Sequence, residues 1–142
     1  MRDMTIALGL VERGDSYLLQ LRPQNRRIGA AGLIGCFGGK IEQGETPQHA
    51  AWRELAEETT INVSEQDYVE LGEVNVISDN NFQTIKVKGH LYKVTIDPSI
   101  SIEAKPGHGE VVSIQKDDIP ARLDEMTPGT RASFEQYVLG EQ

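Results

Sequence analysis

Apolar positions dominate residues 4–12 and 16–22, which are rich in Ile, Leu, Val and Tyr, and predict two strands. Between them Arg13-Gly14-Asp15 supplies the Gly and Asp that suit a hairpin turn. Positions 22–32 mix three arginines with Pro and Gly and predict a loop. Residues 33–37 (LIGCF) predict a short buried strand that delivers Gly38 and Gly39 to a helix entry. The period then changes to that of a helix. Thr46 is suited to the N-cap and Pro47 to the first helical position. At about 100° per residue, Ala51, Trp52, Leu55, Ala56 and Thr59 share one side. After a polar turn at 64–67, strand-like runs at 68–77 and 82–96 flank the turn Ser78-Asp79-Asn80-Asn81. The second run alternates around Ile85, Val87, Leu91 and Val94, and Gly89 predicts a bulge. A loop at 97–109, a strand opened by Glu110 (EVVSIQ), a KDDIP turn and a helix over 127–139, ending at Gly140, complete the chain. Strands, helix, strands and helix in that order suit a mixed sheet with helices packed against it.

Composition narrows the class. The 142 residues are one domain's length, 1–142, with no repeat, low-complexity tract or linker to divide them. Twenty-two acidic against fourteen basic residues leave a net charge of −8. That balance argues against holding polymeric nucleic acid by its phosphates, and leaves a small phosphorylated ligand open where a metal reverses the local sign. Cys36, the single cysteine, excludes an internal disulfide and reads as a buried thiol. The N-terminus lacks a signal peptide's apolar core, and no stretch approaches a membrane span, so the expected location is cytoplasmic. His49, His90 and His108 show no metal-ligand spacing.

The chemistry concentrates on another side of the first helix. Glu54, Glu57 and Glu58 are neighbours there at i, i+3 and i+4, with Arg53 the one cation close in sequence. Three such charges repel unless the face is simply solvated or a hard divalent cation with oxygen ligands joins them. The surrounding spacing favours the cation. Gly39, Glu45, Arg53-Glu54-Leu55, Glu57-Glu58 and Ile61 resemble the Nudix box, and only Thr60, where glycine is usual, departs from it.

The resemblance implies an α/β fold, an α/β/α sandwich with a mixed central sheet and the box as a loop–helix–loop. It implies a Mg²⁺-dependent pyrophosphohydrolase, with Mn²⁺ as a substitute, acting on a nucleoside diphosphate linked to another moiety. Glu57 and Glu58 become the principal metal ligands, Glu54 a further ligand or the base that activates water, and Gly38 a carbonyl ligand. Gly39, Glu45 and Arg53 become structural support, the last two through a charge-assisted contact between loop and helix. Glu110, beside Gly107, His108 and Gly109, is the candidate for a further carboxylate, although a plain strand-edge role is equally consistent. Arg22, Arg26 and Arg27 are candidate substrate contacts, and Phe37 and Phe82 candidate stacking partners for a base. The resemblance favours nucleoside triphosphates, including oxidised purine nucleotides, over ADP-ribose, dinucleoside polyphosphates and nucleotide sugars. A non-catalytic nucleotide-binding module is the contrasting class, and the intact run of carboxylates argues against it. Monomer and homodimer are both open. Glycine's usual task at position 60 is to end the helix in the left-handed conformation, so threonine there predicts an altered helix end.

Overall fold

The computed structural model describes residues 2–23, 32–79 and 83–140. Strands β1 (Arg2–Arg13) and β2 (Ser16–Leu21) form the expected hairpin. Arg13 pairs with Ser16, which leaves Gly14 and Asp15 as a two-residue turn, and Gly14 takes φ 58 as such turns require.

The predicted strand at 33–37 is instead two strands, β3 (Ile34–Gly35) and β4 (Phe37–Lys40). β1 and β2 stay paired only from Val11 to Leu18 and then part. The segment enters the gap, pairing first with β2 and then, past Cys36, with β1. Cys36 gives up the ladder and donates its N–H to Thr130 Oγ1 at 2.8 Å, so the buried donor stays satisfied. Gly38 and Gly39 therefore sit in a strand, opposite Leu8 and Ala7, and not in a loop.

Helix α1 (Pro47–Glu58) starts as its capping chemistry predicts: Thr46 Oγ1 accepts from His49 N–H at 3.1 Å and Pro47 opens the first turn. Strands β5 (Val69–Asp79) and β6 (Thr84–Ile96) follow, with Ser78 and Asp79 inside the ladder and not in the turn. Gly89 pairs regularly on both sides, so it makes no bulge. The irregularity falls between Glu70 and Gly72, where the Tyr137 hydroxyl bonds Glu73 O and occupies the space a side chain on Gly72 would need. β7 (Glu110–Gln115) pairs with β2. The KDDIP segment is a 3-10 turn leading into the single-turn helix α2 (Ile119–Arg122), and the last helix, α3, spans Pro128–Tyr137, stopping short of Gly140.

Seven strands among the described residues make one mixed sheet, with β7, β2, β1, β6 and β5 side by side; β1 and β6 run parallel. Alternate residues of β1 divide the core. Ala7 and Val11 face α1 with Phe37, Ala51, Leu55 and Val94, whereas Leu8 and Leu10 face α2 and α3 with Leu19, Leu91, Ile119 and Phe134. Each fully buried Leu, Val or Phe contributes about 1.5–3 kcal/mol. The result is the expected α/β/α sandwich, with α1 across the place where β1 and β2 separate.

Candidate active site

The buried residues of α1 are Ala50, Ala51, Leu55 and Glu58. Ala51, Leu55 and Glu58 follow each other at i, i+4 and i+7, so the apolar stripe runs into a carboxylate. Glu58 Oε1 accepts the Gly38 N–H at 3.0 Å, which joins the helix end to β4. Burial, followed by the negative charge of Glu54, pushes the Glu58 carboxyl up to about 8; the Gly38 N–H and the Arg22 guanidinium oppose the rise. Burial also raises Glu54.

Glu54 lies over Gly39. A Cβ on Gly39 would stand 2.6 Å from Glu54 Cδ, and one on Gly38 would stand 2.1 Å from the Ala7 carbonyl oxygen. The two glycines are thus required for different reasons. Gly39→Ala displaces only the flexible end of Glu54, and is expected to keep the melting temperature within a few degrees while lowering turnover by about tenfold or more. Gly38→Ala strikes backbone and is expected to lose the fold. Wild-type turnover by a folded Gly39→Ala variant would show that Glu54 has no task in that place.

Arg53 organises the rest. Its Nε and Nη2 reach the two oxygens of Glu45 at 2.6 and 2.9 Å, and Nη2 also donates to Lys40 O at 3.2 Å. Nη1 donates to Glu54 at 3.1 Å and to Glu57 at 3.2 Å. Glu45 returns a bond to its own loop by accepting Glu42 N–H. The Arg53 guanidinium beside Glu45 holds that carboxyl down to about 2, and Glu45 in turn raises Arg53. The repulsion expected among the helix carboxylates is therefore partly neutralised by an arginine that faces two of them, Glu54 and Glu57, together with Glu45 of the preceding loop.

The other candidates are placed less uniformly. Glu110 is exposed at the head of β7, opposite Leu21. Arg22, next along the chain from Leu21, lies close enough to Glu58 to lower its carboxyl, and Arg22 Nε is buried without a hydrogen-bond partner among the described residues. Phe37 is fully buried in the core beneath α1, so it presents no ring to a base. Arg26, Arg27 and Phe82 lie outside the described residues. Among the described residues, no three acidic, histidine or cysteine side chains close on one point; Glu54 and Glu57 turn to Arg53 and Glu58 to Gly38.

The donor set nonetheless fits a hard divalent cation. It is all oxygen, it comes from one helix turn, and it includes a buried carboxylate whose charge lacks a full counter-ion among the described residues. Two contacts had no sequence signal. Lys105 caps the end of α1, with N–H to Glu58 O at 2.8 Å and Nζ to Ala56 O at 2.7 Å. Gln20 Nε2 donates to His108 O at 2.8 Å.

A family model described as the NUDIX domain matches residues 2–136. The chain belongs to the Nudix family. The solved structures it resembles include a MutT protein from Methanosarcina mazei Go1, 20% identical with TM-score 0.78, covering 99% of this chain and 96% of that one. The E. coli dihydroneopterin triphosphate pyrophosphohydrolase is 19% identical with TM-score 0.71, covering 99% of each chain. A bifunctional NMN adenylyltransferase/ADP ribose pyrophosphatase from Francisella tularensis, complexed with AMP and a Mn ion, is 23% identical with TM-score 0.75; the match covers 98% of this chain and 42% of that one. No curated protein sequence matches the chain. The protein is a Nudix-type hydrolase of phosphoanhydride bonds, in a family that acts on small-molecule nucleotides and generally needs a divalent metal. No helix among the described residues is long and apolar enough to cross a membrane.

Proposed function

We propose that the protein is a Mg²⁺-dependent Nudix pyrophosphohydrolase that converts a nucleoside triphosphate to the monophosphate and pyrophosphate. The observation that carries this reading is the junction of α1 with β4, where Glu58 is held by Gly38, Glu54 lies over Gly39, and Arg53 ties Glu45, Glu54 and Glu57 together. Glu57 and Glu58 would hold the cation, with the Gly38 carbonyl as a further ligand and Glu110 the carboxylate added from β7, and Glu54 would be a further ligand or the base. When bound, Mg²⁺ supplies neutralisation of phosphoryl oxygens and a water of lowered pKa. Glu54, whose proton affinity burial raises, would as the base accept a proton from the attacking water. Arg22 brings a guanidinium to the Glu58 side, where it can donate to a phosphoryl oxygen.

The triphosphate reading draws support from the neighbours matched over nearly their whole length, a MutT protein and a triphosphate pyrophosphohydrolase. It is tested by turnover, with and without Mg²⁺, on canonical and oxidised nucleoside triphosphates, dihydroneopterin triphosphate, ADP-ribose, dinucleoside polyphosphates and nucleotide sugars. Metal-dependent release of monophosphate and pyrophosphate from one triphosphate is expected. Cleavage confined to ADP-ribose or a nucleotide sugar would move the substrate to that class, and binding without cleavage of any member would make the protein a non-catalytic module.

A further inference from the structure

We propose that a short ladder between residues 58–60 and 103–105 positions Glu110 relative to Glu58, and that Thr60, where this chain leaves the box pattern, is its key member. The inference rests on the hydrolase reading, with Glu58 and Glu110 as carboxylates brought from distant parts of the chain.

Helix α1 ends without a left-handed residue. Thr59 is extended, at φ −137 and ψ 174, and its hydroxyl donates to Leu55 O at 2.9 Å. The chain beyond the helix then acts as a strand. Thr60 N–H donates to Glu103 O at 2.9 Å, and Glu103 N–H donates back to Thr60 Oγ1 at 2.9 Å. Thr59 and Ala104 face each other in an antiparallel bridge, and Lys105 N–H donates to Glu58 O at 2.8 Å. The loop thereby satisfies carbonyls that a glycine-ended helix would satisfy from its own chain. Glycine at position 60 would keep the backbone bonds and lose the one that Oγ1 accepts.

The same loop is fixed on either side of this ladder. Ile102 is buried in the core beneath α1. Past Lys105, His108 N–H closes a turn on Lys105 O, and His108 O accepts from Gln20. Gly109, at φ 74, lies so close to Leu21 that a Cβ would come within 2.0 Å of the Leu21 carbonyl oxygen. Glu110 then pairs with Leu21. The path from the main chain of Glu58 to Glu110 is thus a few residues with a hydrogen bond or close contact at nearly every step, whereas through sequence it is more than a third of the 142 residues. Partners that orient a metal ligand through a neighbour typically change metal affinity or activity by about 10–100-fold when removed.

The test uses the full chain with Mn²⁺ as the probe. Free Mn²⁺ is followed by electron paramagnetic resonance without substrate, and amide exchange is followed over 103–110 in metal-free protein. Thr60→Val is expected to speed exchange there, to weaken Mn²⁺ binding about tenfold, and to lower kcat more than it raises KM for nucleotide. Thr60→Ser, which restores the acceptor, should return all three to wild type. Combined with Glu110→Gln, Thr60→Val should add little further loss, because both act on the same carboxylate. Lys105→Met, an exposed change that removes only the Nζ bond to Ala56, is expected to shift affinity in the same direction and serves if Thr60→Val does not fold. Wild-type Mn²⁺ affinity in Thr60→Val or Lys105→Met despite faster exchange, or losses from Thr60→Val and Glu110→Gln that multiply, would overturn the positioning role. Wild-type protein that binds no Mn²⁺ would bring down the hydrolase reading, and the positioning role with it.

Discussion

Glu58→Gln is expected to silence hydrolysis and, at pH 8.5 without metal, to melt at a higher temperature than the wild type. The stability half follows from where the carboxyl lies. It continues the stripe of Ala51 and Leu55 into the core, and burial raises it from 4.5 to about 8. A raised acid is one whose folded form keeps its proton. Between about pH 4.5 and 8 the native state therefore binds more protons than the unfolded chain, and stability falls as pH climbs through that window. A shift of this size corresponds to a few kcal/mol, to order of magnitude. Glutamine carries no charge to bury and still offers Oε1 to the Gly38 N–H. The two proteins should melt alike near pH 4 and separate as pH rises. Saturating Mg²⁺ should reverse the order by stabilising the wild type alone. The activity half follows because a neutral amide is a poor ligand for a hard cation. A loss of about 10²–10³-fold is expected, the range for removing one group that faces charge developing in the transition state. A variant that melts below the wild type at pH 8.5 would contradict the buried-charge account, and one with normal turnover would contradict the site.

Arg53→Lys is expected to lower kcat by about 10–100-fold while leaving the net charge unchanged. Lysine offers one compact ammonium in place of a fork that reaches both Glu45 oxygens and, with Nη1, Glu54 and Glu57. Glu45 would keep a counter-ion but lose the paired geometry that orients its loop against α1. The pH signature is the reverse of that for Glu58. Glu45 is depressed to about 2, so its contribution to stability is present above about pH 4.5 and is lost as pH falls towards 2. Wild type and variant should thus differ most near neutrality and converge in strong acid, as read from thermal melts between pH 2 and 7. Superimposable melts throughout would mean that the fork adds nothing beyond its charge.

What could be read from the sequence is what neighbours in sequence decide. The start of α1 depends on Thr46 and Pro47 alone, the first hairpin on Gly14 and Asp15, and both are where local chemistry puts them. The box spacing was legible for the same reason. Features that needed a distant partner were not. The break at Cys36 depends on Thr130 offering its hydroxyl, and the irregularity in β5 coincides with Tyr137 packed over Gly72, whereas Gly89, which looked like the irregular position, pairs normally. Phe37 seemed available to a base because its own segment says nothing about α1 lying over it. The helix period put the three glutamates together on one side and said nothing of their burial, yet Glu57 is exposed, Glu54 is mostly shielded and Glu58 is buried. Position 60 predicted an altered helix end, and only Glu103 explains the form it took.

The parallel pairing of β1 with β6 also bears on how the protein comes into being. Its register joins Arg2 to Ile85 and Arg13 to Ile96, so β1 waits at the ribosome for its longest partner until residue 96 has been made. Until then α1 has no Tyr92, Val94 or Ile96 to complete the core beneath it. Pairings this far apart in sequence place the protein among slow folders, with an unpaired apolar edge exposed in the interval. Nascent chains halted before residue 85 should therefore be the ones that chaperones hold, and those extended past residue 96 the first that resist protease.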